Sequence, residues 1–290
     1  MSDPKPQPSE PTFAQIRAMI GVLGDDPGAL QESARRRLLA WGELGVPLLR
    51  EGAEAEHMAT RMRCRTLLRE IEVRELLRRF ARLRLGQLGR DSAAGLLDGA
   101  VMAAQMVRTF VPESRKLAAQ LRREANALRR DCAGRSLPMC ARLLAERLHQ
   151  KLGLSGCDAD ELDIDHVLVD RALAHGVGAP IALSLVYLLV ARWAGLSAAG
   201  VALPNHFLVR IHGPRPLLLD PFHGGRVIPK ADCARYLRAT GFDRVREHLR
   251  DLTDREVLIH YLRSLRRASN RRQSVARATL GKALGLLETS

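Results

Sequence analysis

The chain has 290 residues, of which 46% are hydrophobic and only 4% aromatic, and its formal net charge is +14. This length and apolar content exclude a disordered chain and predict one large or two smaller globular domains, each with its own core. The charge favours anionic partners such as nucleic acid, anionic lipid or acidic protein, although most arginines stand at helical spacing among leucine and glutamate, as on a solvated helix face.

The five cysteines are scattered, and none forms a Cys-x-x-Cys pair. Because their number is odd and the N-terminus does not resemble a signal peptide, we expect a reducing, cytoplasmic environment rather than a disulfide framework. The longest apolar run, residues 179–191, is shorter than the roughly 20 residues that a membrane-spanning helix needs. We therefore interpret this run as a buried helix and expect no association with membranes.

Residues 1–12 are rich in proline and serine, and we expect them to be disordered. Residues 13–85 follow as a series of amphipathic helices, the first with Phe13 and Ile16 on its apolar face. The segment ARRRLLAWGELGVPLLR, preceded by Asp-Asp-Pro, resembles a HEAT-type helical repeat. Stacked repeats of this type leave a surface for a protein partner, whereas an ordinary helical bundle is the alternative interpretation.

Residues 86–91, GQLGRD, are predicted to be a linker to a second, larger domain that spans residues 92–250. The apolar periodicity predicts its helices near residues 94–110, 113–131, 138–152, 166–174 and 180–194. The last of these helices is apolar on nearly all sides, so we expect it to be the most buried, with Gly195 ending it.

The apolar pattern then changes from helical to alternating. It predicts strands at residues 198–203, 206–212 and 216–220, with Phe207 on one face of the second strand and His206 on the other. Further helices are expected to begin near Lys230, after Thr253 and after Gln273.

His206 and Asp220 stand on neighbouring predicted strands that follow the buried helix. A helix, a strand with a histidine and a strand with an aspartate follow each other in the same order in transglutaminase-like and papain-like cores. In such cores the helix N-terminus stabilises a cysteine thiolate, the histidine takes its proton, and the carboxylate fixes the imidazole tautomer.

Three segments resemble the N-terminal domain of the SirB family, which has such a core. GVGAPIALSLVYLLVARWAGL (176–196) is similar to its Gly-x-Pro-x-x-Leu-Ser helix, GVALPNHFLVRI (200–211) to its strand pair, and LLLDPFHGGRVI (217–228) to its Asp-Pro-Phe-x-Gly-Gly segment. The resemblance implies an α+β fold with a small antiparallel sheet. It also implies that residues 251–290 form a helical tail like a truncated tetratricopeptide region.

Asn205 departs from the pattern of this family, which has a glycine before the histidine. Pro180 stands where catalytic transglutaminase-like cores have their cysteine, and the SirB family resembles this chain in having proline there. Ser184, one helical turn further on the same helix face, is a substitute nucleophile in position, but an unactivated serine inside a helix usually bonds back to a carbonyl. Cys157 precedes several acidic residues, which raise the pKa of a thiol and make it less reactive.

A metal site would need His206, His212, His223 and Asp220 together. His206 and His212 are roughly 20 Å apart on an extended strand and cannot bind the same ion, so we predict neither a metal nor a cofactor.

We therefore interpret the protein as a non-catalytic binding or scaffold module whose His206 and Asp220 are vestigial. The resemblance places a pocket for a peptide or small ligand near Pro180, Tyr187, Asn205 and Phe222. The alternative is a cysteine-independent amide or ester hydrolase or acyl-transferase, in which His206, oriented by Asp220, activates water or Ser184.

Two surfaces are predicted to bind partners. The helical flanks are expected to hold a protein or peptide. A run of five arginines without an acidic residue is a candidate site for an anionic partner, and its members are Arg263, Arg266, Arg267, Arg271 and Arg272.

Overall fold

The computed structural model describes residues 10–24, 28–85, 92–108, 110–158, 163–270 and 273–289. These residues are mostly helical and contain a small antiparallel sheet, which agrees with the predicted α+β class. Residues 1–9 of the segment expected to be disordered, and the predicted linker at 86–91, lie outside the described residues. The chain divides into two compact units, residues 1–78 and 79–290.

The described helices in chain order are α1 (Phe13–Val22), α2 (Ala29–Trp41), α3 (Val46–Gly52), α4 (Met58–Ala81), α5 (Ser92–Val107), α6 (Ser114–Asp131), α7 (Leu137–Ala145), α8 (Ile164–Val167), α9 (Val169–His175), α10 (Pro180–Ala194), α11 (Lys230–Ala239), α12 (Val245–His248), α13 (Asp254–Ala268) and α14 (Ser274–Glu288). The strands are β1 (Ser155–Gly156), β2 (Val177–Gly178), β3 (Ala198–Leu203), β4 (His206–Ile211), β5 (Leu217–Asp220) and β6 (Arg226–Ile228). A π-helical turn, Glu146–Lys151, extends α7.

The first unit has a core of aliphatic side chains from α1, α2, α3 and α4, including Ile16, Leu38, Leu49 and Leu67. Phe13 was expected in this core, but its side chain is exposed, so that expectation is wrong. Phe13 shares a helix face with Ile16 and Ile20, but it is the first residue of α1, directly after the Thr12 cap, and the buried residues begin one turn later at Ile16. The unit is helical as expected, and its HEAT-type repeat stays a prediction.

Helix α10 is the centre of the second unit. Every residue from Ile181 to Ala194 is buried, because the helix packs on α6 on one side and on strands β3 and β4 on the other. A helix surrounded in this way needs apolar residues on all its faces, which is the pattern that the sequence shows. Gly195 ends the helix in the left-handed conformation, with φ of 95°.

The sheet has the strand order β3-β4-β5-β6, and all three pairings are antiparallel. The three predicted strands are confirmed, and β6 is an additional short strand at the edge of the sheet. Between β3 and β4 the chain turns at Pro204 and Asn205, and Asn205 has φ of 54°. Asparagine tolerates this left-handed conformation better than most residues, so it can replace a glycine here without changing the turn.

The C-terminal helices α13 and α14 belong to the second unit, where they pack on each other and on α5. Helix α13 also contacts α10, and besides Asp254 it buries five apolar or aromatic side chains, which are Val257, Leu258, Tyr261, Leu262 and Leu265. None of the described helices combines the length and the apolar character that a segment crossing a bilayer requires.

Candidate site around His206 and Asp220

His206 and Asp220 meet because β4 and β5 are adjacent antiparallel strands. His206 is the first residue of β4, and Asp220 is the last residue of β5. Nε2 of His206 lies 2.9 Å from Oδ1 of Asp220, whose side chain is only 1% exposed. The structure thus brings together the histidine and the carboxylate that the sequence pattern singled out.

A second histidine binds the same carboxylate. Nδ1 of His223 lies 2.7 Å from Oδ2 of Asp220, and the backbone N–H of His223 donates to Oδ1 over 3.3 Å. This contact is local, since Asp220 caps the short 3₁₀ turn Pro221–His223. Sequence reasoning did not assign His223 to this pair, although a residue that caps a turn commonly bonds the residue three positions later, as here.

The carboxylate of Asp220 is ionised at neutral pH. Burial by itself raises the pKa of this carboxyl group, but the hydrogen bonds and charges of His206 and His223 outweigh burial and hold the pKa below its ordinary value. A carboxylate only accepts hydrogen bonds, so Nε2 of His206 and Nδ1 of His223 both carry a proton. In the neutral imidazole of His206, Nδ1 is therefore the acceptor, and no described residue donates to it.

His206 borders a cavity of about 610 Å³, called here the Pro180 cavity because α10 begins at its wall. Its lining includes Pro180, Asn205 and Phe222, all expected from the sequence to form the pocket. Gly156 of β1 positions Phe222, since a Cβ at residue 156 would lie 2.7 Å from the ring. Phe222 then meets the His206 ring edge to face, with ring centroids 5.8 Å apart.

Comparison with known proteins agrees with this arrangement. The sequence profile of the transglutaminase-like superfamily matches residues 110–263, which is more than half of the chain. The chain belongs to the transglutaminase-like superfamily.

Two curated relatives of this superfamily member are both called UPF0162 protein and come from Xylella fastidiosa. The relative from strain 9a5c is 38% identical over 103 residues, which are 35% of this chain and 34% of the relative. The relative from strain Temecula1 is 39% identical over 80 residues, which are 27% and 28% of the two chains. The matched segments thus span about a third of these relatives or less. No solved structure matches the chain significantly.

Two residues that the sequence assigned to the site, Ser184 as a substitute nucleophile and Tyr187 as a pocket residue, do not line the cavities beside His206. Ser184 is completely buried, and its hydroxyl donates to the carbonyl of Phe207 over 2.8 Å, so no substrate reaches it. Tyr187 is also completely buried and lines no described cavity next to His206. Both follow from α10 being enclosed on all sides, which leaves only its first turn at the cavity.

Cys157 is the thiol that does border the Pro180 cavity. The parallel pair β1–β2 brings it there, with its N–H donating to the carbonyl of Gly178 over 3.2 Å. Burial, followed by the charge of Asp158, raises the pKa of Cys157, so the thiol is protonated at neutral pH. The further acidic residues at 160 and 161 lie outside the described residues.

Helix α13 supplies a wall of the Pro180 cavity that sequence reasoning missed. His260, Ser264 and Arg267 border the cavity at the i, i+4, i+7 spacing of one helix face. The His260 ring meets Phe207 edge to face at 5.9 Å, and burial lowers the pKa of His260, so this imidazole is neutral at pH 7. The sequence contains no signal for this wall, because the polar face of an amphipathic helix is ordinarily solvated.

The described arginines of the run between Arg263 and Arg272 lie in different environments. Arg267 lines the cavity, whereas Arg263 forms an ion pair with Glu288 at 2.9 Å. Arg266 is exposed, and Arg271 and Arg272 lie outside the described residues. A larger cavity of about 790 Å³ elsewhere in this unit has an arginine-rich lining and touches none of the predicted site residues.

Proposed function

We propose that the transglutaminase-like core is a non-catalytic binding module that holds a peptide or small ligand in the Pro180 cavity. The observation that carries this proposal is the residue at the start of α10. Proline has neither a nucleophilic atom nor an N–H group, and it stands on the cavity wall that His206 also borders.

The other nucleophiles near the site support the same conclusion. The Ser184 hydroxyl is buried and engaged with a backbone carbonyl. The Cys157 thiol is protonated because its pKa is raised, and a thiol in that state is a poor nucleophile. A covalent acyl intermediate therefore has no suitable attachment point among the described residues that line this cavity.

The composition of the cavity wall suits a ligand with an apolar body. Ile181, Leu203, Phe207 and Phe222 provide apolar surface, and a few polar groups of β4 and α13 lie among them. Mostly apolar pockets with a few placed polar groups are typical of small-molecule and peptide sites.

One observation favours the alternative, a hydrolase that uses water instead of a covalent intermediate. Asp220 holds Nε2 of His206 as a donor and leaves Nδ1 as a proton acceptor, and the His206 side chain borders the cavity. This is the arrangement that a general base needs. A binding module and a hydrolase would therefore share this geometry of His206, and only a measurement of catalytic turnover distinguishes them.

Activity profiling with chloroacetamide and fluorophosphonate probes, together with hydrolysis of simple esters, tests the proposal. We expect no labelling or hydrolysis that depends on His206 when the wild-type chain is compared with His206→Ala. The positive control is Pro180→Cys, which should gain a labelled thiol at residue 180 whose reactivity decreases when His206→Ala is added. Labelling or hydrolysis by the wild type that disappears in His206→Ala would support the hydrolase and overturn the binding module.

The proposal also covers the type of the core, the role of the first unit and the compartment of the protein. We assign the core to the SirB type, the first unit to a HEAT-like surface for a protein partner, and the protein to a reducing compartment, as its five free cysteines suggest. Binding of an anionic partner by the arginine run stays a prediction.

A further inference from the structure

We propose that His206, Asp220 and His223 bind a divalent transition-metal ion. One potential ligand atom from each residue lies within 4.8 Å of the other two. This site does not depend on the proposed binding role, because the three ligands gather at the Asp220 carboxylate and line a second cavity.

The donor set selects the class of ion. Two imidazole nitrogens and one carboxylate oxygen suit zinc and the neighbouring first-row ions such as cobalt and iron. Calcium and magnesium prefer sites made of oxygen ligands alone, so they are not expected here. The objection that the sequence raised against a metal concerned His212, and His212 indeed lies elsewhere, paired with Asp251 at 3.1 Å.

The geometry already points both rings at one carboxylate. Nε2 of His206 faces Oδ1 of Asp220 at 2.9 Å, and Nδ1 of His223 faces Oδ2 at 2.7 Å. Zinc lies about 2.0–2.2 Å from imidazole nitrogen and carboxylate oxygen. An ion that replaces the two bridging protons would therefore find all three ligand side chains already gathered around one point.

The site is open on one side. A second cavity of about 480 Å³, called here the His223 cavity, is lined by all three residues. Asp220 is buried at its base, whereas the His223 side chain is 50% exposed. Water or a ligand in this cavity can therefore complete the coordination, as in sites that bind or activate a small molecule.

Arg226 is the charged group that opposes the ion. Its Nε lies 3.8 Å from Oδ2 of Asp220, but its side chain is 62% exposed and can turn toward solvent. Asp232 also borders the cavity, where it is paired with Arg235. We therefore expect Arg226→Gln to bind the ion more tightly than the wild type.

Metal binding would also change what His206 offers to the Pro180 cavity. An ion on Nε2 leaves the proton of the neutral ring on Nδ1, so that Nδ1 becomes a donor instead of an acceptor. The ion would then favour ligands with a carbonyl or another acceptor at this position.

Titration of the untagged full chain with cobalt(II), followed by visible absorption, and with zinc(II), followed by calorimetry, tests the site. The expected result is one ion per chain with ligand-field bands of a four- or five-coordinate site. His223→Asn is the main variant because His223 is half exposed, so its loss does not threaten folding. It should bind the ion at least about tenfold more weakly.

The matched control is His212→Asn, which removes another histidine paired with an aspartate on the same sheet but lacking a third ligand. It should bind the ion like the wild type. Two results would overturn the site, namely equal binding by His223→Asn and the wild type, or an equal loss in His212→Asn. Binding of no stoichiometric ion by the wild type would do so as well.

Discussion

His206 has two ring nitrogens in different surroundings, because Asp220 holds Nε2 and leaves Nδ1 without a described donor. We propose that Pro180 replaces the nucleophile that such a histidine would serve. Proline suits the first position of a helix, where its missing N–H costs no helical hydrogen bond. A proline at residue 180 therefore provides no nucleophile at the start of α10 but does not weaken the helix. The hydrogen-bonded pair of His206 and Asp220 is present all the same.

Ser184 is a structural residue, and its replacement should show this. Ser184→Ala leaves the buried carbonyl of Phe207 without its side-chain donor, so we expect the free energy of unfolding to decrease by about 1–3 kcal/mol. Urea unfolding measures the change. The control Ser264→Ala alters a partly exposed hydroxyl and should change the free energy by less than about 0.5 kcal/mol. Equal stability of Ser184→Ala and the wild type would contradict the assigned hydrogen bond.

The predictable part of the site lies within one local stretch of sequence. His206 and Asp220 could be predicted because strand alternation and turn signals place them on adjacent strands. His260 and Arg267 could not, since they reach the cavity only through the packing of α13, which no local pattern encodes. The burial of Ser184 could not be predicted either, because it depends on how the sheet packs on α10.

At the scale of elements, long and strongly periodic segments were predicted well. The buried helix, the three central strands and α13 appear with nearly the expected bounds, since each has several residues that repeat one pattern. The missed elements are short. Strand β6 has three residues, two of them exposed, and β1 and β2 have two each, so pairing partners and not intrinsic preference create them.

Helix α13 begins with a capping box whose strength should depend on pH. The hydrogen bond from Arg250, followed by those from Thr253, lowers the pKa of Glu256 from its ordinary 4.5 to about 2. A lowered carboxyl pKa stabilises the fold above pH about 4.5, and this contribution is lost as the pH falls from about 4.5 toward 2.

Glu256→Gln should therefore be less stable than the wild type at pH 7, by about 1 kcal/mol because the groups are partly exposed. The difference should decrease below pH about 4.5 and vanish near pH 2, as measured by urea unfolding across this range. Glu247→Gln, which alters an exposed ion pair with Arg244, is the control and should show no such change. A difference that stays constant with pH would exclude the proposed role of ionised Glu256.

At the scale of the whole second unit, the C-terminal helices are part of the core fold and not an appended tail. Helix α13 forms a wall of the Pro180 cavity while its opposite residues are buried in the unit. A buried ion pair joins it to the central helix, with Nη1 of Arg192 2.6 Å from Oδ1 of Asp254 and both side chains nearly inaccessible. The shape of the Pro180 cavity therefore depends on an ion pair between Arg192 and Asp254, which do not line the cavity themselves.

Replacing only one partner of this ion pair should lower the free energy of unfolding more than replacing both partners. Arg192→Met leaves the Asp254 carboxylate buried without its partner, and we expect a loss of about 3–5 kcal/mol in the free energy of unfolding. The double variant Arg192→Met/Asp254→Leu removes both charges and should be more stable than Arg192→Met, since an apolar pair of similar volume avoids the cost of dehydrating two ions. Thermal and urea unfolding of the wild type, both single variants and the double variant measure the coupling. If the two single losses simply added in the double variant, Arg192 and Asp254 would not act as a pair, and α13 would be held to the core by its apolar face alone.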